Sequence, residues 1–122
     1  MDSKELALAI ADAALDKQAL SLEIMNISEK VSYADYVVIC SGRSDRQVEA
    51  IVNGVEAALK AKKKIPLGVE GKQNCQWVLM DYGDVIFHVF EDQNRGFYDL
   101  DGLWIDAERL PSRQAPSNPN RG

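Results

Sequence analysis

The sequence predicts a single α/β (α+β) domain, and three features carry that prediction. Two segments place apolar residues at helical spacing, one at the N-terminus and one in the middle of the chain. Tyr36-Val37-Val38-Ile39-Cys40 is an unbroken apolar run of strand length. Two further strand-like runs flank a glycine-bearing turn, Asp81-Tyr82-Gly83-Asp84. At 122 residues the chain has room for one core and one functional surface.

Taken in order, Asp2 followed by Glu5 reads as the start of a helix running to about Asp16, with Leu6, Ile10, Ala13 and Ala14 on one face. Ala19 to Met25 reads as a short strand, and Asn26 to Ser32 as a loop or the bend of a hairpin. Tyr36 to Cys40 is β-branched at its centre and apolar throughout, so it is expected to be a central strand buried on both faces. Ser44 with Gln47 three residues later forms a capping-box pattern. The helix it opens, about Asp45 to Lys63, sets Val48, Ile51, Val52, Val55 and Leu59 against the sheet. Pro66 restricts Ile65 to Val69 to an extended edge or a short strand. Gln76 to Met80 and Val85 to Phe90 read as an antiparallel pair around Gly83. Arg95 to Trp104 is expected to form a short helix or two turns on the sheet. The chain then divides into a domain over residues 1–108 and a tail over 109–122, which from Pro111 onward holds three prolines and no large apolar residue, a composition that predicts disorder.

Composition excludes several function classes. The segment Met1-Asp2-Ser3-Lys4-Glu5 lacks the apolar core of a secretory signal, and no stretch approaches the roughly 18 apolar residues of a membrane span. A cytoplasmic protein with no membrane contact is expected, and Cys40 and Cys75 should then stay reduced and pack as small hydrophobes. The net charge of -5 disfavours DNA or any sequence-independent grip on nucleic acid, and suits a basic partner. Lys60, Lys62, Lys63 and Lys64 are a local exception, read first as a helix C-terminus favoured by the macrodipole.

Three constellations invite a chemical reading. Asp81, Asp84 and His88 could bind a cation or relay a proton. On a regular strand, however, His88 shares a face with Ile86 and Phe90, which suits a buried, hydrogen-bonded histidine, and the two aspartates are accounted for by turn chemistry. Ser41-Gly42-Arg43-Ser44-Asp45 resembles a phosphate-cradling turn, but it has one glycine, and Ser44 and Asp45 supply oxygens for the free N–H groups themselves. No catalytic residue, cofactor or metal is therefore expected. The third is the strand from Trp77 into its turn. Trp77, Leu79 and Asp81 point one way, Val78, Met80 and Tyr82 the other, and both sets are bulky. One face must be core. The other is either an apolar strip rimmed by Glu70, Asp81 and Asp84, suited to a protein contact, or covered by the domain's own helices.

Several blocks together, Ala34 to Gly42, Ser44-Asp45-Arg46-Gln47, Val69-Glu70-Gly71, Trp77 to Phe90, and then Arg95, Tyr98, Leu100 and Leu103-Trp104, closely resemble the ribosomal silencing factor (RsfS, or Iojap) family over about residues 5 to 106. The resemblance implies a mixed-sheet domain similar to the nucleotidyltransferase fold but without its working carboxylates. It also implies a partner, ribosomal protein number fourteen of the large ribosomal subunit, bound where the small subunit docks, so that subunit joining is blocked and translation slowed. The implied contact surface carries Trp77, Met80 and Tyr82, with Glu70, Asp81 and Asp84 as acidic neighbours. Asp101-Gly102 departs from the family pattern, and the tail inherits no role. Two rival functions share these residues: a large-subunit assembly factor, and a phosphate-handling enzyme using Ser41 to Asp45 with Asp81, Asp84 and a metal. An exposed sheet edge would also allow the free protein to pair as a homodimer.

Overall fold

A computed structural model describes residues 1–92 and 106–112. Helix α1 (Ser3–Asp16) opens with a reciprocal capping box, in which the Glu5 N–H donates to Asp2 Oδ1 at 2.8 Å and the Asp2 N–H donates to Glu5 Oε1 at 3.2 Å. Its buried face is Leu6, Ala7, Ile10, Ala11, Ala13 and Ala14, small enough to let the helix settle closely on its neighbours. Helix α2 (Asp45–Ala61) buries the five residues its periodicity marks, Val48, Ile51, Val52, Val55 and Leu59.

The start of α2 departs from the expected capping box. Ser44 Oγ accepts from the Gln47 N–H at 3.2 Å, but Gln47 Oε1 accepts from the Arg43 N–H at 2.7 Å. The Gln47 amide nitrogen donates to the carbonyls of Lys17 and Gln18, at 3.3 and 3.0 Å. The carbonyls that end α1 have no helical partners of their own, and a glutamine amide beside them serves them while still closing the loop before α2.

Both helices end in the same device, without the glycine that would announce it. After α1, Gln18 adopts φ 66 while the Gln18 and Ala19 N–H groups donate to Leu15 O and Ala14 O. After α2, Lys63 adopts φ 66 while the Lys63 and Lys64 N–H groups donate to Lys60 O and Leu59 O. These are Schellman closures with a side-chain-bearing residue at the left-handed position. The left-handed turn stops α2 at Ala61, two residues before the expected end.

The strands are β1 (Leu20–Asn26), β2 (Tyr36–Gly42), β3 (Gly68–Glu70), β4 (Trp77–Asp81), β5 (Val85–Glu91) and β6 (Glu108–Leu110). They form one mixed sheet in the order β3-β4-β5-β2-β1-β6. The β2–β5 pair is parallel and the other four are antiparallel. As its composition requires, β2 lies centrally, with residues 37–42 buried. At its end, a Cβ added to Gly42 would sit 2.9 Å from the Val48 nitrogen, so a glycine is what lets β2 run up against the first turn of α2.

Strand β6 corrects the expected domain boundary. Arg109 and Leu110, assigned from the sequence to the tail, pair with Met25 and Ile24, and Arg109 Nε lies 3.0 Å from Glu23 Oε1. Edge pairing draws on main-chain groups and asks for no apolar alternation, so a three-residue strand leaves little trace in the sequence. The expected element at Arg95 to Trp104 and the tail beyond residue 112 lie outside the described residues.

Two cores result. The helices and one sheet face enclose the larger, with Ile10, Ile51, Val55, Leu59, Val38, Val78, Met80 and Phe87 in it. On the opposite face Met25, Ile27, Ala34, Val37, Ile39, Phe90 and Ala107 form a smaller one. Gln18→Gly and Lys63→Gly should each raise stability by about 0.5–1 kcal/mol, because glycine adopts the left-handed conformation without a Cβ penalty. A higher urea midpoint at unchanged m-value is the expected result, and an unchanged or lower midpoint would contradict this account of the helix ends.

Candidate functional site

The pleat of β4 decides which residues can meet a partner. Val78 and Met80 are 0% exposed and Tyr82 8%, all three within the helix-side core. Trp77, Leu79 and Asp81 alternate to the other face and are half-buried. Met80 and Tyr82, expected in the contact surface, are therefore corrected to core residues: α1 and α2 cover the face to which their parity assigns them. Burial, with Glu56 adding to it, pushes the Tyr82 phenol up to about 12, and its hydroxyl has no hydrogen-bond partner among the described residues.

The face turned away from the helices is legible across the sheet as one register row. Glu70 pairs with Leu79, Leu79 with His88, His88 with Ile39 and Ile39 with Glu23, and directly paired residues project to the same side. Along this row Ile39 is fully buried, His88 and Leu79 are half-buried, and Glu70 is exposed. The segment from Ile27 to Ala34, with Ala107, closes the β1–β2 half of the face. Over the β4–β5 half, Trp77, Leu79, Ile86 and His88 are half-buried.

Trp77 is the largest of the described side chains there, and Phe90 and His88 hold it. Its ring stacks on Phe90, directly opposite on β5, with centroids 5.2 Å apart at 29°. Its Nε1–H donates to His88 Nδ1 at 3.0 Å. His88 in turn lies parallel to Phe90, 6.1 Å away at 7°. Because indole nitrogen only donates, His88 Nδ1 must accept, which makes His88 the neutral tautomer with its proton on Nε2. Burial pushes its pKa down to about 4. His88 thus shares the face of Ile86 and Phe90 and is hydrogen-bonded, as its parity suggested, but it is half-buried.

The loop before β4 clamps the backbone of Trp77. Gly71 adopts φ 90, and a Cβ there would lie 2.1 Å from the Trp77 carbonyl oxygen, a contact that excludes every other residue. The Cys75 N–H closes the loop onto Gly71 O at 3.1 Å, with Cys75 itself at φ 56. Cys40 and Cys75 are both buried, and neither forms a disulfide.

Acidic groups rim the face. Glu70 stands exposed beside Leu79, and Asp81 is held by its Oδ1, which accepts the Gly83 N–H at 2.8 Å in a turn where Gly83 takes φ 90. Asp84 is exposed in the same turn, and its carbonyl accepts from the Asp35 and Tyr36 N–H groups. The structure thus brings Trp77, Glu70 and Asp81 together, sets Asp84 at the end of their face, and removes Met80 and Tyr82 from it. Leu79, Ile86 and His88 belong to the face and were missed as site residues. One signal was available: Asp81 shares the parity of Trp77, and a carboxylate four residues along a strand marks the side that meets water.

The chemical constellations take other roles. Among the described residues no group of three His, Cys, Asp or Glu side chains could hold a metal ion. The Arg43 N–H donates to a side chain, Ser44 caps α2, and the cleft of about 320 Å3 beside them carries the carboxylates of Asp45 and Glu91, which oppose a phosphate. Among the described residues no helix is long and apolar enough to cross a membrane.

Comparison with known proteins bears on the family and the fold. The family model described as ribosomal silencing factor during starvation matches residues 1–121. A protein named ribosomal silencing factor RsfS from Zymomonas mobilis is 39% identical over 103 residues, covering 84% of this chain and 77% of the relative. A mouse protein named mitochondrial assembly of ribosomal large subunit protein 1 is 29% identical over 109 residues, covering 78% of this chain and 48% of its own length. A crystal structure of a Chromobacterium violaceum protein superposes with a TM-score of 0.84 at 28% identity, covering 98% of both chains. With the family pattern running through nearly the whole length and the same fold beneath it, the chain belongs to the ribosomal silencing factor family.

Proposed function

We propose that this protein docks the Trp77 face of its sheet on the large ribosomal subunit, against ribosomal protein number fourteen, and excludes the small subunit by occupying its place. The observation that carries the reading is the sheet face turned away from α1 and α2, where a held tryptophan and a half-buried leucine stand inside an acidic rim. Family membership and the name of the mouse relative support a large-subunit partner. The acidic rim suits a basic ribosomal protein, attracting it during approach and opposing acidic competitors. No chemical step is needed, since a competitor at concentration [L] weakens joining by the factor 1 + [L]/Kd.

The Trp77 lock is part of the mechanism. A tryptophan free to sample several rotamers would lose that freedom on binding, at roughly 0.5–1.5 kcal/mol for an immobilised side chain. Phe90 and His88 hold it beforehand, so the ordering cost is met in folding and not in docking.

Trp77→Ala should weaken binding to purified large subunits about thirtyfold, corresponding to a loss of about 2 kcal/mol, with a native circular dichroism spectrum. Co-sedimentation at wild-type affinity would overturn the site. His88→Leu should weaken binding less and His88→Asn should restore it, because the asparagine Oδ1 can take the acceptor position of Nδ1. Equal losses from both variants would mean that His88 acts by packing alone. Folding reports the same group, since the unfolded chain takes up a proton near the ordinary value of 6.5 that the folded state refuses until about 4. His88 therefore makes stability rise with pH between those values and adds no slope above them. Chemical denaturation should show a shallower slope in that window for His88→Asn, and an unchanged slope would contradict a neutral His88.

A further inference from the structure

We infer that the lysines ending α2 form a second contact, with phosphates of ribosomal RNA beside the protein partner, and this rests on the docking proposed above. Four of the fourteen Lys and Arg side chains of a chain with net charge -5 fall within the five residues from Lys60 to Lys64. Lys60, Lys62 and Lys63 are exposed, and Lys64 is half-buried. Among the described residues no ion pair within 4 Å engages any of the four, whereas Lys30, Lys72 and Arg109 are each paired with a carboxylate. Lys62 borders the groove along α1 that also holds Glu5, Asp12 and Asp16, which leaves Lys60, Lys63 and Lys64 as the uncountered group.

Their place in the fold, at the end of α2 and three residues before Leu67, puts them near the β3–β4 edge of the sheet, where a partner that reaches past that edge would find them. Residues 65–67 carry the chain from the lysines to the sheet edge, where the Leu67 N–H donates to Asp81 O at 2.7 Å, at the turn end of β4. A partner lying on Trp77, Leu79 and Asp81 and reaching past that edge would thus meet the lysines at its border. A ribosomal surface offers two chemistries there, basic protein and RNA phosphate. Like charge excludes the first, so the phosphates are the complement of the lysine group, as the basic ribosomal protein is of the acidic rim. Exposed Ile65 and Leu67 lie next to the cluster and would serve a protein neighbour instead, which the test includes as an outcome.

The experiment measures Kd for purified large subunits across a salt series with the wild-type protein, the triple variant Lys60→Gln/Lys63→Gln/Lys64→Gln, the double variant Ile65→Ser/Leu67→Ser, and Trp77→Ala. Glutamine suits position 63, because Gln18 holds the same left-handed conformation at the end of α1. Each phosphate contact adds about one to the slope of log affinity against log salt, so the triple variant should lose about 2 to 3 from that slope and bind more weakly at low salt. The double variant should keep both slope and affinity, and Trp77→Ala should lose affinity at every salt with its slope retained. An unchanged slope in the triple variant overturns the RNA contact while leaving the Trp77 face standing. Lost affinity in the double variant with no slope change in the triple variant overturns it in favour of a protein neighbour. Wild-type binding by Trp77→Ala with a shallower triple variant would strike the docking face alone, and failure of the wild-type protein to bind large subunits would remove both.

Discussion

Two helices can cover one face of a six-stranded sheet, and the rest of this molecule follows from how the other face is closed. The chain spends α1 and α2 on the same side, where their apolar stripes meet Val38, Val78, Met80 and Phe87. On the opposite side, among the described residues, the Ile27 to Ala34 segment and Ala107 pack over β1 and β2. Over β4 and β5 lies a half-buried aromatic and aliphatic strip whose alternate residues are committed to the core. Every side chain offered to a partner is thus rooted in a strand whose other face is packed in the larger core, which anchors the strip's backbone.

That rigidity gives the Trp77 neighbourhood its character. Gly71 lets the preceding loop touch the Trp77 carbonyl, Phe90 supports the ring from the facing strand, and His88 holds the indole nitrogen. Aromatic pairs of this kind contribute about 0.5–1.5 kcal/mol beyond the area they bury. A neutral His88 is required, because a protonated ring would have no acceptor for the indole. The same burial that lowers its pKa therefore keeps the lock closed through the physiological pH range.

Much of this was legible in the sequence, for reasons tied to particular residues. Asp2 and Glu5, the spacing of Val48 to Leu59, the apolar run of β2 and the Gly83 turn each record a local constraint, and each appears in the structure. The parity of β4 was not legible from bulk, because Trp77 and Leu79 are as large and apolar as Val78, Met80 and Tyr82. Only the coverage of one face by both helices separates them, and that is a tertiary fact. Helix ends marked by Gln18 and Lys63 in place of glycine, a main-chain-paired β6, and a Gln47 that serves another helix likewise lie outside what local spacing records. The pairing of Trp77 with His88 needed the register of two strands.

The central claim is geometric: the β4–β5 face, and not the helical side, meets the large subunit. A photo-cross-linking residue placed at Leu79, compared with one at the exposed Asn53 on α2, tests it most directly with purified large subunits. The account predicts a single dominant adduct from position 79, to ribosomal protein number fourteen, and none to that protein from position 53. Labelling of that protein from position 53, with position 79 silent, would contradict it.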